Sequence, residues 1–417
     1  MIDFSKHAGF DLSVRTRAEK RFQWTGRLAI LLSLAFLGWM MVTIIWGAIG
    51  ATQSVQIAVS VDLSRVDGQA IENTRFGSIV KTGLRSQFPE VSKRADKKKL
   101  YNLVSPEGGF ELARQVQKNP DLLGETALIW LTASDDLSQY YRGQMDVDLP
   151  EDQRQVSDLE IAWITDLADR GQIRTKANWG FFTNGDSREP EIAGILAALV
   201  GSALSLAVCF ALSFPIGIAA ATYLEEFAPL NRISDIVEVN INNLAAVPSI
   251  VFGLLGLSIF LGYFGLPRSS PLVGGMVLSL MTLPTIIIAS RASLKSVPPS
   301  IKEAALALGA TPVQAVFHHV FPVALPGMLT GAIIGMARAL GDTAPLLMIG
   351  MVAFIVDIPK SILEPATALP VQIFLWADSP ERAFSEKTSA AILALLFFLV
   401  AMNLVAILLR RKLEQRF

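Results

Sequence analysis

The hydrophobic positions of this chain fall into long runs and not into the short periodic stretches of a water-soluble core. The first run, Leu28 to Ile49, exceeds the about 20 apolar residues that a membrane-spanning helix needs. It also exceeds the 7–15-residue apolar core of a signal peptide, which favours an uncleaved anchor. We predict six spanning helices in all. The further runs are Ile192 to Tyr223, Ile241 to Phe264, Leu272 to Ala289, Met328 to Phe354 and Ala390 to Leu409.

Polar and charged residues return between the first two runs. Ser54 to Val61 alternates like a strand, Val156 to Arg170 has apolar residues at helical spacing, and Leu122 to Leu131 is similarly apolar. Residues 51–190 suit one domain in length, so we predict a mixed α/β domain inserted between the first two spans. Its basic run, Lys93 to Lys99, is either a binding patch or, as is more usual, a solvated turn or helix face.

The distribution of Lys and Arg predicts which side of the membrane each loop faces. These residues are enriched in cytoplasmic loops, so we predict that both termini are cytoplasmic in a bacterial inner membrane. The inserted domain, the loop around Pro267 to Ser270 and the segment Asp357 to Thr388 then face outward. The predicted cytoplasmic set is Lys6, Arg15, Arg17, Lys20, Arg21, Arg27, Arg291, Lys295, Lys302, Arg410, Arg411, Lys412 and Arg416.

Several predicted spans contain a proline. Each proline removes a backbone donor and frees a carbonyl group, which a membrane tolerates where neighbouring helices or a water-lined cavity compensate. The prolines therefore indicate either spans that line a path or ordinary packing kinks. They are Pro215, Pro248, Pro284 and Pro345.

Composition and charge exclude two broad classes of protein. The 36 Lys and Arg against 37 Asp and Glu give a formal charge of −1, which argues against binding nucleic acid by bulk charge. Hydrophobic residues make up 52% and charged residues 18% of the chain, against about 25% charged in soluble domains, so the protein is not purely soluble. Its single cysteine, Cys209, cannot form an internal disulfide.

Catalytic signatures are absent from the sequence. It contains no GxxxxGK[ST] loop, no HExxH, no CxxC and no plausible nucleophile triad. The adjacent His318 and His319 would point about 100° apart on a helix and so could not chelate one metal well. We predict that the chain is not an enzyme, has no catalytic residues and binds no metal or cofactor of its own.

The segment Val297 to Gly327 predicts a short exposed helix followed by a second amphipathic helix that returns to Pro326. Glu303 would lie in the first turn, where a carboxylate favours the positive helix end, and Gly309 would end the helix. Small residues give this helix a surface without bulk, which suits another protein's groove; the alternative is an ordinary helical hairpin. The small residues are Ala304, Ala305, Ala307 and Gly309.

Two sets of motifs carry a resemblance to a known family. Glu303-Ala304-Ala305, Gly309 and Val323-Ala324-Leu325-Pro326 resemble the EAA loop of bacterial ABC importer membrane subunits, in which a coupling helix docks on the ATPase. Three other segments resemble the A-type (PstA-like) permease subunit of the phosphate-specific ABC importer. These segments are Asn243–Gly253, Thr282–Ala289 and Ala337–Leu347.

The resemblance covers roughly residues 190 to 410 and implies an all-α polytopic fold of six transmembrane helices, of the type I ABC importer class. Glu303, Ala304, Ala305 and Gly309 would then couple to the ATPase. Together with the apolar runs and the basic residues, it divides the chain into a cytoplasmic segment (1–27), the first span (28–50), an extracytoplasmic domain (51–190), a transmembrane domain (191–410) holding the coupling loop (297–327), and a cytoplasmic tail (411–417).

The resemblance also implies the partners. They are a homologous second permease (PstC-like), a cytoplasmic ATPase dimer (PstB-like) that binds ATP and Mg, and an extracytoplasmic phosphate-binding protein (PstS-like). The chain departs from the family pattern at Asp342, where the family usually has Glu; Asp keeps the charge but has a shorter reach.

Arg338 suggests an anion path through the fifth predicted span. If that span starts near Gly327, Arg338 is 338 − 327 = 11 residues in, or roughly 16 Å, close to the middle of a hydrocarbon layer about 30 Å thick. Asp342 would neutralise it partly at i+4. A guanidinium matches phosphate with paired donors, although a structural ion pair is the alternative. Further hydrogen-bonding groups on the predicted path are Thr343, Asn243 and Ser249.

These observations lead to the hypothesis of a permease subunit in an ATP-driven inorganic phosphate importer. One alternative is a permease for another oxyanion, such as phosphonate, sulfate or molybdate. Another is a membrane-anchored sensor or scaffold whose outer domain binds a signal. A charged fifth span argues against the sensor, because a sensor needs no intramembrane Arg with an adjacent carboxylate.

Overall fold

The computed structural model describes residues 12–64, 74–145, 149–352 and 354–413. Residues 1–11 and 414–417 lie outside these ranges, and so do two residues of the orientation prediction, Lys6 and Arg416. The helices are α1 (Leu12–Ala48), α2 (Phe76–Gln87), α3 (Arg94–Tyr101), α4 (Gly108–Lys118), α5 (Asp135–Tyr141), α6 (Asp158–Asp169), α7 (Gly180–Thr183), α8 (Leu196–Thr222), α9 (Arg232–Ala245), α10 (Ser249–Gly256), α11 (Pro271–Lys295), α12 (Pro299–Ala307), α13 (Pro312–Ala315), α14 (Phe321–Gly341), α15 (Ala344–Met348), α16 (Leu369–Ala377) and α17 (Ala383–Leu413). The strands are β1 (Gln53–Asp62), β2 (Thr126–Thr132) and β3 (Ile173–Ala177).

Helix α11 forms the centre of a helical bundle. It packs against α8 and α14, and 56% of its most apolar stretch is buried. Small residues allow close approach, as is common between membrane helices: a Cβ atom on Gly331 of α14 would lie 2.3 Å from the Cβ atom of Ala289. In α1 and α17, which contact each other, none of the most apolar stretch is buried.

Five helices in the described part of the chain are long and apolar enough to cross a membrane, and a sixth span exists only if one bent pair crosses as a unit. The predicted span from Ile241 to Phe264, with the helix breaker Pro248 inside it, falls on that pair and is not one continuous helix. The segments Arg232–Ala245 and Ser249–Tyr263 meet at 98°. Pro248 precedes the second segment with ψ of 137°, and a proline disfavours helical conformation in the residue before it, so the chain breaks there.

The predicted fifth span, Met328 to Phe354, also had wrong bounds. Helix α14 ends at Gly341 and continues a helical path that begins at Pro312. The separate short helix α15 follows. The amphipathic helix predicted to end at Pro326 therefore does not end there, since Pro326 lies inside α14.

The four prolines divide into two pairs by position. Pro215 and Pro284 lie inside α8 and α11, whereas Pro248 immediately precedes α10 and Pro345 lies in the first turn of α15. The second pair therefore starts helices instead of kinking them, because a proline's fixed φ and missing N–H are tolerated in a first turn.

A mixed α/β unit lies between α1 and α8. Its three strands form one antiparallel sheet in the order β2-β1-β3, and α2 and α4 pack on β1 and β2 respectively. The central β1 has five consecutive buried residues, Val55–Val59, and the polar Gln56 is one of them. The alternation predicted from Ser54 to Val61 is therefore not an alternation of burial, because a central strand can be covered on both faces.

Two further segments of the α/β unit, an apolar run and a basic run, can be compared with their predictions. The apolar run Leu122 to Leu131 includes most of β2 and is therefore largely a strand. The basic run Lys93 to Lys99 lies mostly on α3, whose only buried residue is Leu100. This location supports the interpretation of the basic run as a solvated helix face.

Candidate functional site

Helix α12 is the short helix that the sequence predicted near Pro299. It ends in a Schellman motif: the Gly309 N–H donates to the Leu306 carbonyl at 3.0 Å, and the Ala310 N–H donates to the Ala305 carbonyl at 3.1 Å. Gly309 has a φ of +89°, in the left-handed region that favours glycine. The predicted helix stop at Gly309 is confirmed by this geometry.

Other predicted features of α12 need correction. The helix begins at Pro299, so Glu303 lies in its second turn and does not act on the first-turn dipole. Ala304 and Glu303 are exposed, but Ala305 is only 6% exposed and packs inward. The free surface is not without bulk either, since Leu308 is 90% exposed. A leucine directly before the terminating glycine was the sequence signal for this exposed apolar side chain.

Arg338 lies near one end of a helix and not at its middle. The helical path is 30 residues long from Pro312 to Gly341, so Arg338 is 338 − 312 = 26 residues, or roughly 39 Å, from its start. The prediction counted from a span start near Gly327, whereas the helical path begins 15 residues earlier, at Pro312. The depth of Arg338 in a membrane stays a prediction. The Arg338 side chain is exposed, and no hydrogen bond or ion pair joins it to another of the described residues.

Asp342 does not continue the helical face of Arg338. It follows the last residue of α14 with φ of −89° and ψ of 109°, an extended conformation that ends the 3.6-residue repeat. The predicted i+4 contact with Arg338 is thus not made. The side chain of Asp342 is half-buried beside Thr343, which precedes α15.

The remaining predicted path residues lie at two breaks in the bundle. Ser249 begins α10 and is half-buried, and Thr343 precedes α15. These two helices pack together closely: a Cβ atom on Gly253 would lie 2.7 Å from the Cα atom of Pro345. Asn243 is exposed near the end of α9, before the 98° bend. The structure brings α10 and α15 together, whereas Asn243 lies on the other arm of the bend.

A second group of charged side chains, which the sequence did not reveal, joins the α/β unit to the bundle. Arg142, after α5, donates to Glu386 of α17 at 2.9 Å. Lys387, only 4% exposed, donates from Nζ to the Ala193 carbonyl at 3.0 Å. The segment Asp357 to Thr388, which was predicted to be an outward-facing loop, includes α16 and the first turns of α17. Because 244 residues separate Arg142 from Glu386, no local pattern could have paired them.

Two carboxyl groups at this junction have strongly raised pKa values. Burial raises the pKa of Glu191 to about 7, and neither of its carboxylate oxygens has a hydrogen-bond partner among the described residues. Burial raises the pKa of Asp135 to about 6, although a hydrogen bond from Gln139 acts in the opposite direction. Burial disfavours the charged form of a carboxyl group, so both groups take up a proton at a higher pH than an exposed carboxyl group does.

Within the described ranges no group of three or more His, Cys, Asp or Glu side chains is arranged to hold a metal ion. His318 and His319 lie on the wide turn Val316–Val320 that precedes α14. His318 Nδ1 lies 3.2 Å from the Gln314 carbonyl oxygen, a local contact within the same helical path.

Two family models match the chain. Residues 11–151 match a domain of unknown function, DUF3333, which covers α1 and most of the α/β unit. Residues 213–417 match the binding-protein-dependent transport system inner membrane component. The second model contains the α12 segment and all five predicted path residues.

Known proteins also resemble part of the chain. The inward-facing MetNI methionine ABC transporter has a TM-score of 0.41 at 18% identity, covering 53% of this chain and 95% of that one. The phosphate transport system permease protein PstA of Haemophilus influenzae is 30% identical over 54% of this chain and 78% of its own length. PstA 1 of Mycobacterium tuberculosis strain CDC 1551 is 30% identical over 233 residues, which are 56% of this chain and 75% of that protein. With this identity and coverage, the chain belongs to the family of the phosphate transport system permease protein PstA.

Proposed function

We propose that the chain is a membrane-spanning permease subunit of an ATP-driven inorganic phosphate importer. The observation that carries the proposal is its 30% identity over 233 residues to a protein named as a phosphate transport permease. In this proposal our chain forms half of the translocation path, and a homologous second permease forms the other half. The chain has no ATP site of its own, so a cytoplasmic ATPase dimer binds ATP and Mg and hydrolyses the nucleotide.

Helix α12 is the ATPase docking element in this proposal. Its exposed Glu303 and Ala304, the cap at Gly309 and the exposed Leu308 provide a compact surface at one end of the bundle, the α12 end. That end is cytoplasmic, which agrees with the Lys and Arg enrichment after α11. Both termini are then cytoplasmic, and the α/β unit faces the extracytoplasmic side, where it acts as a docking or regulatory appendage for a phosphate-binding protein.

The anion path runs past Arg338 at the opposite end of α14. An exposed guanidinium without an ion-pair partner in the described chain can offer paired donors to an oxyanion. Thr343 and Ser249, at the starts of two packed helices, add hydroxyl groups along the path, and Asp342 and Asn243 add polar groups at its breaks. Closure of the ATPases moves α12 and reorients the bundle around the path, which is alternating access.

Uptake of radiolabelled phosphate into vesicles that contain all the subunits tests the proposal. Phosphate accumulation that depends on ATP and resists excess sulfate supports it. Stronger inhibition of uptake by sulfate, phosphonate or molybdate than by unlabelled phosphate would assign the permease to another oxyanion. No ATP-dependent accumulation of any of these anions by a fully assembled complex would contradict the importer and favour a sensor or scaffold.

Arg338 variants test the path itself. Arg338→Lys keeps the charge but loses the two-pronged geometry, so we expect partial uptake at most, and almost none in Arg338→Gln. Asp342→Asn should be milder. The matched control is Arg268→Gln, which removes an exposed Arg from the loop before α11. If assembled Arg338→Gln takes up phosphate at the wild-type rate, Arg338 is not on the path.

A further inference from the structure

Six charged side chains connect four helical elements at the α12 end of the bundle. The wide turn Tyr223–Phe227, which extends α8, carries two consecutive acids. These acids face bases on α11 and α12, and one further acid comes from α9. We call this group the α12-end network. Its members are Glu225, Glu226, Glu238, Arg291, Lys295 and Lys302.

The ion pair between Glu226 and Lys302 ties α12 to the end of α8. Lys302 Nζ lies 2.5 Å from Glu226 Oε2, and the two side chains are 35% and 10% exposed respectively. A surface pair would contribute little to stability. Here the carboxylate is almost completely withdrawn from water, so loss of Lys302 would leave a nearly buried charge without compensation.

Arg291 ties the same end of α8 to α9. Its Nε lies 3.2 Å from Glu225 Oε2 and its Nη2 lies 3.0 Å from Glu238 Oε2. The planar guanidinium thus contacts two helices in a fixed geometry, which a lysine could not reproduce. Because no residue of α9 is buried, the contact with Arg291 is a specific attachment of this helix to α11.

The connected elements lead from the docking helix to the predicted path. Apart from Lys302, α12 is attached through the buried Ala305 and the partly buried Ile301. Beyond α9 the chain bends by 98° into α10, which begins at Ser249 and packs on α15. A movement of α12 that is passed through the acids of the wide turn therefore reaches an element of the path.

We propose that Glu226 and Lys302 are positioning residues that transmit movement of α12 to α8, and that Arg291 passes this movement to α9. The inference rests on the proposed importer function, because α12 must be moved by an ATPase. The physical reason is that each pair holds two helices at one contact through partly desolvated charges. Rigid attachment at these contacts makes the helices move together.

The first test measures phosphate uptake per ATP hydrolysed in vesicles containing the full complex. Glu226→Gln and Lys302→Met should each lower this ratio about 2- to 30-fold, the range found for substitutions that alter coupling between sites. The double variant should be no worse than the poorer single variant, because both remove the same interaction. Lys302→Arg should retain most of the ratio. The control Asp166→Asn breaks the exposed Arg170–Asp166 pair of the α/β unit and should keep the wild-type ratio.

The second test does not depend on the identity of the substrate. Spin labels at Ser300 of α12 and Ile233 of α9, both exposed, report the distance between these helices with and without ATP and vanadate. The single native cysteine, Cys209, is buried, so engineered cysteines can be labelled selectively. We expect the nucleotide to change the distance between the helices differently in Glu226→Gln than in the wild type.

The outcomes separate the two proposals. A wild-type complex whose labelled helices respond to ATP but which does not accumulate phosphate would refute phosphate import and not the network. Additive losses in the double variant, wild-type ratios in both single variants, or identical distance changes in wild type and Glu226→Gln would each overturn the network.

Discussion

The C-terminal cap of α12 allows a sharp test of how ATP hydrolysis is coupled to phosphate uptake. A substitution at Gly309 has two separable effects, a cost in backbone conformation and crowding by the new side chain. Gly309 has a φ of +89°, and a Cβ atom built there would meet nothing within 4 Å. An L-residue held in the left-handed region costs about 1–2 kcal/mol. Gly309→Ala therefore adds this cost without a clash in its own chain, and it should shift the population of the capped conformation by roughly 5- to 30-fold.

The series Gly309→Asn, Gly309→Ala and Gly309→Leu separates the two contributions. Asn tolerates the left-handed region better than other side chains, so it should affect coupling least. Ala reports the backbone cost alone. A larger loss in Leu than in Ala would measure crowding against the docked ATPase, since overpacking a tight contact typically costs about 1–3 kcal/mol.

Phosphate uptake and ATP hydrolysis should be measured on the same vesicles. We expect hydrolysis to continue while uptake falls in the order Asn, Ala, Leu. The matched control is Gly265→Ala in the loop before α11, because Gly265 also has a left-handed φ, of +64°, and open space at its Cβ position. Normal uptake and normal ATPase binding in Gly309→Leu would refute the reasoning, and so would an equal loss in Gly265→Ala.

Two further predictions concern the α/β unit and its junction with the bundle. Replacing most of residues 51–190 by a flexible linker, with α1 retained, should alter docking of the binding protein but leave measurable uptake; complete loss of uptake despite normal insertion and assembly would contradict an appendage role. Burial raises the pKa of Glu191 from 4.5 to about 7, so above pH 7 its carboxylate is charged in a site that disfavours the charge. This charge lowers the free energy of unfolding by up to about 3 kcal/mol, and protonation removes the penalty as the pH falls towards 4.5. The thermal unfolding temperature of wild type should therefore lie below that of Glu191→Gln at pH 8 and approach it at pH 5.5, with the exposed Glu125→Gln as control; an equal offset at both pH values would rule out this linkage.

The bundle illustrates how far local patterns predict a membrane fold. The apolar runs located α1, α8, α11 and α17, because burial in hydrocarbon demands a continuous apolar segment whatever its neighbours are. They did not predict the 98° break after Ala245. An apolar run remains apolar through a bend, and only packing of α10 against α11 and α15 makes the bent form specific.

The candidate site shows the same division. Gly309 was identifiable as a helix stop, since its Schellman cap involves neighbouring residues and a backbone conformation that glycine favours. The relation of Arg338 to Asp342 was not identifiable. It depended on where α14 ends, because the extended backbone of Asp342 takes this residue off the helical face that carries Arg338.

The sequence by itself determined the membrane class, the inserted unit, the glycine-capped helix α12 and the family resemblance, because hydrophobic length, capping and contiguous motifs are local properties. Only the tertiary structure decided which charges meet. Arg142 finds Glu386 across 244 residues, and Lys302 finds Glu226 across 76. Such pairs depend on how helices pack, since the energy of a charge contact follows distance and burial in space and not separation along the chain.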